Sequence, residues 1–349
     1  MRCGAQAVLF PYHLLQYVLM RRSGSRVPVL IRVLLCLGLL FTGTLTACTE
    51  REERSEQWAT QYTDDLGRSV ALRGPVKRVV TLAPNLTEIV YAAGGGDKLV
   101  GVTTADDYPP SVDTLPRFSA LPVDFEKVLS LKPDVVLATD QVNSPRDAGT
   151  FESLGMPTFF FRFSSLEDVI AGIRKAGEIM GTVHEATATA DSLEAELDSL
   201  RTLTEQVSNK PGVIVLIGAE TLNAFGRESH VHDLIELAGG RSLTKDLGNS
   251  PVLSEEFVLK AAPDILIGTW GEAYDVDRLL ALHPTWDALP AVQQGRVYNL
   301  SGDFISRPGP RLVEGVQRLV RLIHPDLFPS DHPSQGSEPP GSAVAAERL

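Results

Sequence analysis

The sequence predicts an α/β protein of two similar lobes, each built on a central parallel sheet, joined by one long helix and leaving a ligand cleft between them. Three observations lead there. FEKVLSLKPDVVLAT at Phe125 to Thr139 returns 130 positions later as EEFVLKAAPDILIGT at Glu255 to Thr269. Six of the fifteen pairs are identical: Glu126 with Glu256, Val128 with Val258, Leu129 with Leu259, Pro133 with Pro263, Asp134 with Asp264 and Thr139 with Thr269. Strand-like apolar runs alternate with helical stretches from Lys77 and again from Gly212, while about Ser165 to Asn209 is nearly all helical. An αβ unit repeated far apart means two lobes, and clefts between lobes bind small molecules.

The elements follow in order. YTDDLGRSVAL reads as two short strands around an Asp-Leu-Gly turn. RVVTLA is a strand ended by Pro84, and NLTEIVYAAGG a helix with Asn85 as N-cap and Gly94 as C-cap. The glycines Gly94 to Gly96 follow a helix and precede the strand KLVGVTT, the reverse of the order a phosphate loop requires. After the turn-rich ADDYPPSVDTLPRFSALPVD each repeat copy gives a short helix with an acid at its start, a Pro-Asp stop and a buried strand. PTFFFRF closes the first lobe. His184 to Asn209 has no internal Gly or Pro and predicts a rod of roughly 39 Å at about 1.5 Å per residue. GVIVLIG, HVHDLIELAGG, the second repeat copy, VYNL and PRLVEGVQRLVRLIHP then supply the second lobe.

The first fifty residues are of another kind. VPVLIRVLLCLGLLFTGTLTAC runs apolar from Val27 after Arg21, Arg22 and Arg26, the pattern of a secretory signal, with Met20 as the expected start. Leu45-Thr46-Ala47-Cys48 resembles a bacterial lipobox, in which the cysteine carries the lipid. Cys3 and Cys36 fall in the discarded part, so no disulfide or cysteine-based metal site is expected. The first 47 residues hold five arginines and no acid, which leaves 27 basic against 44 acidic residues, a net of −17. Such a surface disfavours nucleic acid as a partner. The expected divisions are 1–47 signal peptide, 48–62 anchor and tether, 63–164 first lobe, 165–210 helical linker, 211–328 second lobe, and a Pro, Ser and Gly rich tail over 329–349.

TDDLGR, RVVTLAPNLTEIVYAAG, VGVTTADDYPP, LPRFSALPVDFEKVLSLKPDVVLAT, GRESHVHDLIELAGG, SEEFVLKAAPDILI and GDFISRPGPRLVEGV occur in that order over about residues 63 to 322. As a set they resemble the periplasmic substrate-binding proteins of ABC importers for iron chelates and cobalamin. The resemblance implies two Rossmann-like lobes on a backbone helix and a lipid-anchored monomer on the periplasmic side. It implies a metal chelate as ligand, with no cofactor and no catalysis. It further implies that Glu126 and Glu256 dock a permease dimer. Ion pairs of this kind contribute to orientation and on-rate more than to affinity. Without the resemblance, each is a solvated glutamate favoured by the dipole of its helix.

The resemblance places ligand contacts at Tyr108, Asp303 and Arg307, and aromatics at three positions occupied here by Ala120, Asn223 and Ser250. Phe304 or Trp270 could supply replacement surface for a flat macrocycle or aromatic chelate. Arg307 suits an anionic siderophore, propionate or phosphate edge, or else holds the Pro-Gly-Pro turn. His230 and His232 at the start of a helix point different ways, against a shared metal; Tyr108 is an alternative axial ligand to haem or iron. A haem receptor, or a free zinc or manganese receptor of the same fold, stands as the alternative ligand class. No GxSxG, HExxH or paired-carboxylate signature of a hydrolase is present.

Overall fold

Alternate side chains along each strand enter different cores, and this sets the layering of the molecule. The computed structural model describes residues 59–328 other than Glu228, Asn249, Glu272 and Ala273. The expected signal sequence over 1–47, start at Met20, lipid site at Cys48 and tail over 329–349 lie outside the described residues. β1 (Ala59–Thr63) and β2 (Ser69–Arg73) pair antiparallel around the Asp-Leu-Gly turn, so strand structure begins within the stretch read as tether.

The first lobe carries β3 (Val79–Thr81), β4 (Leu99–Thr103), β5 (Arg117–Phe118), β6 (Val135–Thr139) and β7 (Thr158–Phe161), in spatial order β5-β4-β3-β6-β7. The second carries β8 (Gly212–Leu216), β9 (Arg241–Ser242), β10 (Ile265–Gly268) and β11 (Val297–Asn299), in order β11-β10-β8-β9. Their described pairings are all parallel. In both lobes the first strand, β3 or β8, lies between the second, β4 or β9, and the strand of the repeat unit, β6 or β10. Helical crossovers cover both faces: α1 (Pro84–Ala92), α2 (Phe125–Ser130) and α3 (Pro145–Ser153) in the first lobe. The second lobe has α6 (His230–Leu237), α7 (Glu255–Ala261), α8 (Val276–Leu282), α9 (Pro290–Gln293) and α10 (Leu312–Ile323). With no face left to water, the strands are continuous apolar runs.

The repeat is structural as well as sequential. Asp124 caps α2 by accepting from Lys127 N, and Ser254 caps α7 by accepting from Phe257 N. Both helices break at a left-handed residue ahead of the proline, Lys132 at φ 49° and Ala262 at φ 43°. The residue before proline is barred from helical geometry, so the helix must end there. The next aspartate ties the turn to the central strand of its lobe: Asp134 accepts from Lys77 N and Arg78 N at 2.8 and 2.9 Å, and Asp264 from Gly212 N at 2.7 Å.

The linker contains the long helix expected from His184, preceded by another helix in the rest of the helical stretch. The two are α4 (Leu166–Met180) and α5 (Val183–Glu205), the latter spanning about 34 Å at roughly 1.5 Å per residue. The chain turns back at Gly181, and Arg174 of α4 pairs with Asp191 and Glu194 of α5 at 2.7 and 2.8 Å, so the two run antiparallel. The α4 helix packs on α1, and α5 on α10. One apolar core runs through Val79, Val135 and Phe159 of the first sheet, Ile173 and Ala186 of the hairpin, and Val213 and Ile265 of the second sheet. The outer face of each sheet has its own core, around Phe151 and Phe160 in one lobe and Trp286 and Leu266 in the other. The lobes are thus tied through a shared interior, which restricts them to small relative motions.

Candidate functional site

Three segments meet between the lobes: α1, the turn after β4, and the stretch from Gly302 to Arg311 that leads into α10. Packing encloses α1 on nearly every side, polar residues included: Asn85, Leu86, Thr87, Glu88, Ile89 and Val90 are all buried. A carboxylate there must find partners, because an unpaired buried charge is prohibitively costly. Glu88, 3% exposed at its side chain, finds two. Arg311 grips it with Nε donating to Oε2 at 3.0 Å and Nη2 to Oε1 at 2.8 Å, the two-pronged geometry that suits guanidinium to carboxylate. Arg307 Nη1 donates to Oε1 at 3.1 Å.

The same arginines reach outward. Arg307 Nη1 lies 2.7 Å from Asp107 Oδ1 and Nη2 3.0 Å from Asp303 Oδ1, while Arg311 Nη1 is 3.5 Å from Asp303 Oδ2. Two positive charges are therefore set among three negative ones, with carboxylates from both lobes. Partial burial pushes the Asp107 carboxyl up, but the Arg307 hydrogen bond and charge outweigh it and hold it below the ordinary range. Burial pulls Arg311 down, and its bond to Glu88 more than restores it.

Neighbouring hydrogen bonds hold these groups in place. Asp106 Oδ2 accepts from Thr103 N at 2.8 Å and Thr103 Oγ1 at 2.6 Å, which fixes the turn presenting Asp107 and Tyr108. Asn85 Nδ2 donates to Pro308 O at 3.2 Å, and His230 Nε2 to Ile305 O at 2.8 Å, so helices from both lobes hold the 302–311 stretch. Gly315 of α10 allows its close approach: a Cβ there would lie 1.8 Å from Phe304 O. The Asn85 expected as N-cap is instead in the first turn of α1, whose cap position is Ala83. Its amide reaches across the cleft because the helix starts two residues earlier than expected, at Pro84.

Aromatic surface flanks the charges. The Arg311 guanidinium lies 4.4 Å from the Tyr108 ring centroid, and Phe304 is 5.5 Å from Arg311 and 4.1 Å from Arg318, cation–π distances throughout. Tyr108, Asp303, Phe304 and Arg307 are therefore together. Trp270 is not among them. It is 9% exposed in the second-lobe core, where its ring covers Gly268. Of the positions without the expected aromatics, Ala120 is buried, Asn223 half-buried and Ser250 exposed. Glu126 and Glu256 are exposed, each in the first turn of its own lobe's capped helix.

The two histidines diverge. Burial pushes His230 down to about 4, and its ring is committed to Ile305. His232 contacts Ser242 Oγ at 2.8 Å and Gly226 O at 2.5 Å. Among the described residues no group of three or more His, Cys, Asp or Glu is placed to hold a metal ion. A groove of about 320 Å³ lined by Asp65, Phe161, Arg162, Asp168 and Lys175 shares no residue with the interlobe network.

Sequence reasoning missed Glu88 and Arg311. Asn85, Thr87 and Glu88 give this helix a polar side that the sequence alone reads as facing solvent, and only the tertiary packing buries it.

Known proteins share this architecture. An uncharacterized ABC transporter substrate-binding lipoprotein of Bacillus subtilis, YvrC, is 28% identical over 292 residues, covering 80% of this chain and 90% of its own. The crystal structure of the periplasmic vitamin B12 binding protein BtuF of Vibrio cholerae matches with a TM-score of 0.63 and 28% identity, over 71% of this chain and 97% of that one. The apo form of the periplasmic heme-binding protein RhuT from Roseiflexus sp. RS-1 gives 0.64 and 28%, over 72% and 99%. A sequence profile of the periplasmic binding protein family matches residues 79–303, from the first strand of the first lobe to the aspartate of the interlobe network. With more than half of its length under that profile, the chain belongs to the periplasmic binding protein family.

Proposed function

We propose that this protein is the substrate-binding component of an ABC importer. It captures a metal chelate, a corrinoid such as cobalamin or a ferric siderophore, between its lobes and delivers it to a membrane permease without performing chemistry. The observation that carries this reading is the interlobe network, where charges from both lobes meet beside Tyr108 and Phe304. The vitamin B12-binding and heme-binding relatives support it. The aromatics supply stacking surface for a macrocycle or aromatic chelate, while Asp303 and Arg307 hydrogen-bond its polar edge. Asp107 is the most exposed arm of the network at 59%, so an anionic edge would replace it most readily as the partner of Arg307. No cofactor is required, because the metal is cargo. Cys48 anchors the chain by lipid on the periplasmic side, and Glu126 and Glu256 dock the permease.

The test is titration of purified protein with cyanocobalamin, haemin and ferrioxamine, followed by visible absorption and calorimetry. Saturable binding of cyanocobalamin or ferrioxamine is expected, weakened at least tenfold by Arg307→Ala, the loss of about one charge-assisted contact. Preferred binding of haemin would move the ligand to the haem class. Tight zinc binding with no affinity for any chelate would overturn the reading.

A further inference from the structure

Leu121 and Val252 are the two most exposed large apolar side chains among the described residues, at 70% and 64%. A single exposed leucine needs no explanation. These two, however, occupy related places. Leu121 stands three residues before Asp124, the cap of α2, and Val252 two residues before Ser254, the cap of α7. Each thus precedes the helical turn that carries its lobe's glutamate, Glu126 or Glu256.

Each is also held firmly. Leu121 lies in a turn closed by the bridge between Ala120 and Val123 and by Asp124 N donating to Ser119 O at 2.9 Å. Val252 is bridged to Asn223, between Pro251, whose carbonyl accepts from Ala224 N at 2.9 Å, and buried Leu253, whose N donates to Leu222 O at 2.8 Å. A proline adjoins each of the two. Apolar groups fixed in this way lose little freedom on docking.

We infer that Leu121 and Val252 are paired apolar contacts for the importer's permease, one on each lobe, seated beside the bases that meet Glu126 and Glu256. This rests on the docking reading above and adds the groups that hold the complex once formed. Two like patches on two like lobes match a partner of two like subunits. A second copy of this chain would oppose glutamate to glutamate, and an anionic lipid surface would repel both acids. The acids set approach and orientation, and the apolar pair slows departure.

The experiment measures association and dissociation of the full-length protein on the two-subunit permease of its own host in nanodiscs, across a range of salt. Leu121→Ser with Val252→Ser should speed dissociation by at least about tenfold at every salt concentration. Leu121→Met with Val252→Ile should restore the wild-type rate. Thermal melts should coincide for all variants, because both side chains are exposed. Glu126→Lys with Glu256→Lys should instead slow association, and most strongly at low salt, because like charges then face each other unscreened. If the charge reversals abolish docking while the serine variant dissociates like wild type, the apolar pair is refuted and the glutamate reading stands. If neither pair matters, the docking reading falls as well. Loss of affinity for cyanocobalamin or ferrioxamine in the serine variant would place the two residues at the cleft mouth and overturn the inference. So would loss of self-association in sedimentation.

Discussion

The helices α1 and α6 are one design used twice, with opposite outcomes for the acid each carries. Both end in a Gly-Gly pair whose first glycine is left-handed, at φ 74° for Gly94 and 79° for Gly239. The closing bonds match: Gly95 N to Val90 O at 2.9 Å and Gly240 N to Ile235 O at 2.8 Å. Counting back from those glycines sets Asn85 against His230 and Glu88 against Asp233. The first pair does the same work, each holding a carbonyl of the 302–311 stretch. The second pair does not. Glu88 is enclosed by two guanidiniums, whereas half-buried Asp233 has its pKa raised by burial and by the nearby charge of Glu167. A shared topology puts a carboxylate at one position in both lobes; whether it binds the lobes together depends on what faces it.

The widest test of this contrast is Glu88→Gln. It leaves Arg307 and Arg311 with only the partly exposed Asp303 as a shared counter-charge, and should cost about 3–5 kcal/mol in urea unfolding. No loss would mean that the arginines are already solvated, and the two helices would no longer differ. Next is His230→Gln, which gives the second lobe an uncharged amide as the first has in Asn85. His230 titrates near 4 when folded against 6.5 when free, so the unfolded chain takes up the proton first as the pH falls. Stability present above about pH 6.5 is therefore lost on descending toward pH 4, by roughly 3 kcal/mol. The glutamine variant should lack that loss, and an unchanged pH profile would show that His230 is not its source. The smallest effect belongs to Asp233→Asn. A raised carboxyl disfavours the folded state once ionised, so removing its charge should stabilise the protein at neutral pH, by at most about 0.5 kcal/mol after solvent screening. A clear loss of stability would show that Asp233, like Glu88, is a paired group.

The lobes could be read in the sequence because their signals are local. Val135 to Ala138 and Ile265 to Gly268 are apolar throughout, and Pro133 and Pro263 end their helices by a rule acting between neighbours. The break in the linker was less legible: Gly181 precedes the stretch read as a rod, and only the packing of α4 on α5 makes it a reversal. Tyr108, Asp303 and Arg307 came from resemblance and do lie together. Their partners Glu88 and Arg311 are 223 residues apart, and no periodicity connects residues at that distance.

The network also responds unevenly to salinity. At about 0.1 M salt the Debye length is about 10 Å, and at 1 M about 3 Å, and screening acts mainly on charges that water can reach. Asp107 is such a charge, while Glu88 is sealed within. Brine should therefore loosen the outer clasp and leave the inner one shut. The contacts between the lobes would then weaken at their rim first, and the buried pairs on Glu88 would yield only to a group that competes for Arg307 and Arg311 from within the cleft.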